Sequence, residues 1–115
     1  MLTLYGIAQC DTVKKARAWL ETHDLPYQFH DYKKAGLSPA LAATLLKALP
    51  LDILINRRGT TWRHLSAAER EALQQESTAA ALVMAQPSVL KRPIVQSAKG
   101  WHAGFDEPYW QQLYL

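Results

Sequence analysis

The sequence predicts an α/β protein in which helices flank a four-stranded mixed sheet. Two segments, residues 2–5 and 27–32, alternate bulky with smaller or polar side chains, which is typical of strands. A helical pattern separates them, so we expect these strands to run parallel through a right-handed crossover. Near the end of the chain, Gly100 lies between two further apolar segments, which predicts an antiparallel hairpin.

The first helix is predicted to run from Asp11 or Thr12 to about His23. Either Asp11 or Thr12 has a side chain that can cap its N-terminus. An apolar stripe, with residues spaced three or four apart, provides the face that packs on the sheet. The stripe consists of Val13, Ala16 and Leu20.

The middle of the chain is predicted to be mainly helical, with helix caps at Ser38 and Ser66. Residues 51–55 fit either a strand or one helical turn, and the turn is favoured. The other predicted segments are a helix stopped by Pro50, a loop at residues 56–63, a helix ending at Leu73 and a helix over about residues 78–84.

The end of the chain supplies the hairpin and a last helix. Ile94 and Val95 form an apolar strand, residues 101–105 pair back onto it, and residues 107–113 form a short helix. This order of elements predicts a thioredoxin-like fold with a helical insertion at about residues 37–86. Residues 1–115 are expected to form a single domain.

The composition is that of an ordinary globular protein, with 49% hydrophobic and 20% charged residues. The single cysteine excludes an internal disulfide and is typical of a reducing compartment. No segment resembles a secretory signal or approaches the ~20 apolar residues of a membrane span. We therefore expect a cytoplasmic protein with no membrane partner.

The net charge of +3 is mild, and the basic residues are dispersed along the chain. Nucleic-acid binding requires basic residues on one face together with aromatic stacking groups, so no nucleic-acid partner is expected. The dispersed basic groups can instead converge on one anionic small molecule. The four histidines lack metal-ligand spacing, and no metal site is expected.

Cys10 is the candidate nucleophile. It lies just before the first helix, where unpaired backbone N–H groups favour thiolate over thiol. Lys14, Lys15 and Arg17 add positive charge within two turns. Two considerations oppose this hypothesis: a lone cysteine is often a small buried hydrophobe, and Asp11 raises the thiol pKa unless its carboxylate points away.

Five short motifs occur in order along nearly the whole chain. They are YGIAQCDTVKKAR (residues 5–17), DYKKAG (31–36), LINRRGTTWR (54–63), PSVLKRPIV (87–95) and GF (104–105). Together they resemble the ArsC/Spx family, specifically its YffB-like branch of small arsenate-reductase-related proteins. The resemblance implies a thioredoxin-like fold with an inserted helical region.

The resemblance also implies roles for single residues. Cys10 matches the cysteine that forms a covalent adduct with the oxyanion in the arsenate reductases of the family. Arg92 matches an anion-binding arginine of the family that precedes a cis proline, here Pro93. A cis proline beside the thiol would expose the preceding backbone for pairing with a peptide-like ligand.

The chain departs from the family pattern at three positions. The family's arginine in the middle loop is matched by Asn56, and its arginine after the last strand falls near Phe105, which cannot bind an anion. The redox-switch regulators of the family carry a Cys-x-x-Cys pair, but the second position here is Val13. These departures argue against arsenate chemistry and exclude a dithiol switch within the chain.

Three further residues are candidate ligand contacts. Lys14 lies one turn past Cys10 on the same helix face. Thr12 either donates to the thiolate or only caps the helix. Arg57, next to Asn56, is either a ligand contact or a solvated loop charge.

The predicted function is that of a glutathione-dependent monothiol reductase. Cys10 has no resolving cysteine, so it needs an external thiol, and the YffB-like branch is similar to glutathione-dependent reductases. The carboxylates of glutathione suit Lys14, Arg57 and Arg92, and exchange passes through a mixed disulfide. Glutathione, or a small thiol or disulfide substrate, is the expected partner, with no bound cofactor. The alternatives are an arsenate reductase proper and a Spx-like, non-enzymatic regulator that binds RNA polymerase.

Overall fold

The computed structural model describes every residue from Met1 to Leu115. The backbone divides into two compact units: unit 1 comprises Met1–Asp31 and Arg92–Leu115, and unit 2 comprises Tyr32–Lys91. None of the helices combines the length and apolar character that a membrane crossing requires.

Four strands and seven helices follow one another along the chain. They are β1 (Leu2–Gly6), α1 (Asp11–Thr22), β2 (Tyr27–Asp31), α2 (Pro39–Ala48), α3 (Leu51–Leu54), α4 (Thr60–Arg63), α5 (Ala67–Ala72), α6 (Glu76–Ala85), β3 (Ile94–Ser97), β4 (Gly100–Ala103) and α7 (Glu107–Tyr114), with a 3₁₀ turn at Pro87–Val89.

All four strands form one sheet in unit 1, in the order β2-β1-β3-β4. Strand β1 pairs parallel with β2, whereas β3 pairs antiparallel with both β1 and β4. Gly100 begins β4 with a φ of 100°, a conformation that glycine adopts without strain. The predicted mixed sheet and C-terminal hairpin are therefore confirmed.

The core of unit 1 is formed by β1, β3, α1 and α7. The stripe predicted for α1 is fully buried, since Val13, Ala16 and Leu20 have no exposed surface. Trp110 of α7 is also fully buried, and its ring meets Trp19 edge-on with 5.7 Å between centroids. Burying each large apolar side chain contributes about 1.5–3 kcal/mol, so this core fixes α1 firmly on the sheet.

A short polar chain also holds α7. The Tyr114 hydroxyl donates to Ser97 Oγ at 3.2 Å and lies 2.6 Å from His102 Nε2. Burial lowers the pKa of His102, so the neutral imidazole is favoured in this position.

Unit 2 is helical, and both of its predicted serine caps are confirmed. Ser38 caps α2 by accepting from the Leu41 N–H, and Ser66 caps α5 in a reciprocal capping box with Glu69. The helical turn favoured for residues 51–55 is present as α3.

The prediction of a loop at residues 56–63 is wrong in part, because the second half of this segment is the single helical turn α4. The Gly59 carbonyl accepts a hydrogen bond from the Arg63 N–H at 3.3 Å and so closes this turn. One turn is too short for apolar spacing to reveal it in a sequence.

Gly6 marks a close approach of β1 and α1. A Cβ atom at this position would lie 2.8 Å from Cγ2 of Val13, a side chain with no exposed surface. We expect Gly6→Ala to destabilise the protein by about 1–3 kcal/mol through overpacking. Urea unfolding followed by tryptophan fluorescence measures this loss.

The matched control for Gly6→Ala is the pair of variants Val13→Ala and Gly6→Ala/Val13→Ala. Removing the Val13 γ-carbons relieves the contact, so Gly6→Ala should have a smaller effect in that background. Strictly additive losses would show that the contact with Val13 is not the cause.

Candidate active site

Cys10 occupies the N-cap position of α1, with extended backbone angles (φ −74°, ψ 126°). Its N–H donates to the Ile7 carbonyl at 3.0 Å, and its carbonyl accepts from the Lys14 N–H at 2.9 Å. The prediction that Asp11 or Thr12 caps the helix is wrong, because both residues lie inside its first turn. Cys10 is thus held by a turn on one side and by the helix on the other.

The surroundings of the Cys10 sulfur favour the thiolate. Partial burial is the largest single effect and raises the pKa of Cys10. Four interactions lower the pKa, and together they outweigh burial. In order of size they are the Val13 N–H, a hydrogen bond from Arg92, the Thr12 N–H and the Arg92 charge. The pKa of Cys10 is therefore lowered from its ordinary value, because N–H groups at a helix N-terminus and a nearby cation both stabilise the thiolate.

A neutral thiol caps this helix poorly. The Cys10 side chain makes no N-cap hydrogen bond, although the N–H groups of Val13 and Thr12 lower the pKa of the thiol. These donors gain a strong acceptor only when the thiol ionises. The helix N-terminus consequently favours the anionic form of Cys10.

Arg92 and Pro93 lie directly before β3, and the peptide bond between them is cis, as the resemblance implied. Pro93 is buried, and its carbonyl accepts from the Gly104 N–H at 2.7 Å. Arg92 is half-buried and donates a hydrogen bond to the Cys10 sulfur. The structure therefore brings Arg92 and Cys10 together from opposite ends of the sequence.

Thr12 and Lys14 are both exposed on α1. The backbone N–H of Thr12 lowers the pKa of the Cys10 thiol, and the Thr12 side chain does not cap the helix. The Lys14 side chain is not among the groups that shift the pKa of Cys10. Its role as a ligand contact stays a prediction.

Arg57 lies in unit 2, where it lines a polar cleft of about 450 Å³. Its guanidinium lies 5.7 Å from the centre of the Trp62 ring, which restricts the exposed side chain. The other residues of the cleft are Asp52, Ile55, Asn56, Arg58 and Lys91. Arg57 is thus one of several cations in this cleft, and its contact with a ligand stays a prediction.

Two contacts of the site were missed in the sequence. The Val13 N–H is the strongest of the interactions that lower the pKa of Cys10, and Asp31 accepts a hydrogen bond from the Ala8 N–H at 3.2 Å. Asp31 lies near the end of the strand predicted at residues 27–32, which was expected to run parallel to β1, and this placement could have indicated its contact with the turn. No group of three or more His, Cys, Asp or Glu side chains is arranged to hold a metal ion.

The fold and the site define a class of protein: a thioredoxin-like fold with one cysteine at the N-terminus of α1 and a cis proline before β3. The ArsC family matches residues 5–113, and the chain belongs to this family. The predicted resemblance is confirmed.

Similar proteins are known both as structures and as sequences. The structure of the YffB protein has a TM-score of 0.87 at 38% identity and covers 97% of each chain. An arsenate reductase (ArsC) related protein from Brucella melitensis has a TM-score of 0.77 at 42% identity, covering 99% of this chain and 95% of its own. The global transcriptional regulator Spx of Listeria innocua is 33% identical over 110 residues, which are 93% of this chain and 82% of Spx.

The lowered pKa predicts a specific pH dependence. Alkylation of Cys10 by iodoacetamide should follow a titration curve whose midpoint lies below the ~8.5 of a free cysteine. Urea-unfolded protein, in which the turn and helix are lost, is the control and should titrate normally. A folded midpoint at or above the unfolded one would mean that burial outweighs the N–H groups and Arg92.

The lowered pKa also links stability to pH. Because the folded pKa is the lower one, the stabilisation is absent below it and increases as the pH rises towards the ordinary pKa of the unfolded thiol. The free energy of unfolding of the wild type, relative to Cys10→Ala, should therefore increase across that window.

Proposed function

We propose that this protein is a thiol-dependent oxidoreductase, specifically a glutathione-dependent monothiol reductase. The observation that carries the proposal is the lowered pKa of its only cysteine, produced by the N–H groups of α1 and by Arg92. Identity of 38–42% with the YffB protein and with the arsenate reductase (ArsC) related protein supports it. The cytoplasm, where reduced glutathione is abundant, is the proposed location.

The reaction consists of two thiol–disulfide exchanges. In the first, the Cys10 thiolate attacks the glutathionyl sulfur of a mixed disulfide between glutathione and a second thiol. The Cys10–glutathione bond forms, the substrate S–S bond breaks, and the leaving thiolate takes a proton from water. In the second, a glutathione thiolate attacks the glutathionyl sulfur on Cys10, so that glutathione disulfide forms and the Cys10 thiolate is restored.

The residues around Cys10 support both steps. The Cys10 thiolate is stabilised by the N–H groups of Val13 and Thr12 and by the Arg92 guanidinium. This stabilisation acts in the resting enzyme and again when the Cys10 thiolate is released from the mixed disulfide. Arg92 and Lys14 carry positive charge that suits the carboxylates of glutathione.

Arsenate reduction is the first alternative, and we expect it to be weak. Stabilising a small tetrahedral dianion requires several cationic donors around one sulfur, and the family resemblance puts a further arginine near Phe105, which is not a cation. A charge-assisted hydrogen bond is worth about 1.5–3 kcal/mol, so its loss should slow oxyanion chemistry tenfold or more. Arsenate turnover as fast as glutathione exchange would reverse this ranking.

A non-enzymatic regulator is the second alternative, favoured by the 33% identity to the global transcriptional regulator Spx. Its predicted partner is RNA polymerase. Such a regulator could not switch through an internal disulfide, because Cys10 is the only cysteine. It would form adducts with no preference for glutathione and would not turn over.

The test is intact-mass measurement after incubation with glutathione disulfide, which is anionic, or with cystamine, a cationic disulfide. We expect the mass of one glutathionyl group to be gained, faster than from cystamine, and to be removed by excess reduced glutathione. Equal rates with the two disulfides, or an adduct that glutathione does not remove, would contradict the proposal.

A further inference from the structure

Asp31 connects β2 to the turn that carries Cys10. Its Oδ2 accepts a hydrogen bond from the Ala8 N–H at 3.2 Å. Ala8 is the second residue of the turn over residues 7–10, which is closed by the bond from the Cys10 N–H to the Ile7 carbonyl. In a turn of this kind the N–H of the second residue has no partner within the turn. The Asp31 carboxylate supplies one.

Sheet register explains why an aspartate can reach this turn. Strands β1 and β2 are parallel, and Gly6 lies opposite Asp31. The carboxyl ends of the two strands therefore meet at one edge of the sheet, and the turn begins there. Ala8 and Asp31 are both half-buried, so a lost acceptor would not be replaced freely by water.

We propose that Asp31 is a positioning residue, which holds the turn so that the Cys10 sulfur faces the N–H groups of α1 and the Arg92 guanidinium. It acts through Ala8 and does not contact the substrate. The inference deepens the proposed function and rests on it, in that Cys10 is taken as the reacting group.

Geometry and charge predict opposite effects for the loss of Asp31. A carboxylate near a thiol opposes ionisation, so a purely electrostatic role means that any variant without the charge reacts faster. A positioning role means that a variant without the acceptor reacts more slowly. Asparagine keeps the acceptor oxygen and removes the charge, whereas alanine removes both.

The experiment is the alkylation rate of Cys10 against pH in wild type, Asp31→Asn and Asp31→Ala. We expect Asp31→Ala to react roughly three- to tenfold more slowly at pH 7, because its midpoint moves upward and less of the thiol is then ionised. Asp31→Asn should stay within about twofold of wild type. The proposal would be overturned if Cys10 in Asp31→Ala is alkylated as fast as in wild type or faster, or if Asp31→Asn is alkylated as slowly as Asp31→Ala. Asp24→Asn, at an exposed carboxylate, controls for a general charge effect.

Two further readouts do not depend on glutathione. Hydrogen exchange at the Ala8 amide should be at least about tenfold faster in Asp31→Ala than in wild type. Ala8→Pro removes the donor, and proline is a favoured residue at the second position of a turn. In the Ala8→Pro background, Asp31→Ala should have no additional effect on alkylation, and a full additional effect would contradict the proposal.

The outcomes separate the two proposals. The wild type could show no preference for glutathione disulfide over cystamine, while Cys10 in Asp31→Ala is alkylated slowly. That result would remove the proposed function and leave the positioning role. Normal exchange with glutathione in both wild type and Asp31→Ala would remove the positioning role alone. If Asp31→Ala does not fold, the Asp31→Asn variant decides. Alkylation within about twofold of wild type supports the positioning role, and alkylation several-fold faster, as loss of the charge alone predicts, contradicts it.

Discussion

Replacing Cys10 with serine should abolish glutathione adduct formation and turnover completely. A serine hydroxyl does not ionise near neutral pH, and no other cysteine in the chain can take over. Intact mass after exposure to glutathione disulfide should show unmodified protein only. A coupled assay with glutathione reductase should fall to the uncatalysed rate, and turnover above that rate would place the chemistry elsewhere.

The same substitution should not destabilise the protein. Serine is a preferred N-cap, and its oxygen can accept from the N–H groups of Val13 and Thr12 better than a neutral thiol does. We expect the free energy of unfolding of Cys10→Ser near pH 6 to be equal to that of the wild type, or higher by about 0.5–1 kcal/mol. Loss of activity with unchanged stability separates chemistry from folding.

The second large effect is expected for Arg92. Its guanidinium both hydrogen-bonds to the Cys10 sulfur and attracts the thiolate electrostatically. Arg92→Ala should raise the pKa of Cys10 and slow alkylation at pH 7 roughly tenfold. Exchange with glutathione disulfide should slow further, because the same cation is proposed to bind a glutathione carboxylate.

Two controls define the role of Arg92. Arg92→Lys keeps the charge but loses the planar guanidinium, so we expect intermediate rates. Lys99→Ala removes an exposed cation from unit 1 and should leave both rates unchanged. Equal slowing of alkylation and glutathione exchange by Arg92→Ala would limit Arg92 to stabilising the thiolate and remove it from the glutathione site.

Much of the fold was predictable because its signals are local. The alternation in β1 and β2, the helix caps at Ser38 and Ser66 and the glycine turn at Gly100 each depend on neighbouring residues. Helix α4 was missed because a single turn has no periodicity. The cap of α1 was assigned to Asp11 or Thr12 because cysteine is not a usual cap residue.

The site was less predictable, because its contacts join distant parts of the chain. The position of Cys10 before a helix could be inferred from the residues around it. The hydrogen bond from Arg92 could not, and only the family resemblance had associated the two residues. Asp31 was missed because its contact with Ala8 depends on the residue pairing of β1 and β2. The sequence predicted that these strands run parallel, but not that Gly6 lies opposite Asp31.

The chain order of unit 1 has a consequence for synthesis on the ribosome. Cys10, β1, α1 and β2 emerge early, whereas Arg92 and β3 emerge only after the whole of unit 2. An isolated helix as short as α1 is marginal in water, so the nascent thiol lacks both the ordered N–H groups and the guanidinium. We expect the thiol to ionise less readily there than in the folded protein. We infer that the growing polypeptide is thereby less exposed to oxidation and disulfide exchange at Cys10, because the thiolate is the reactive form.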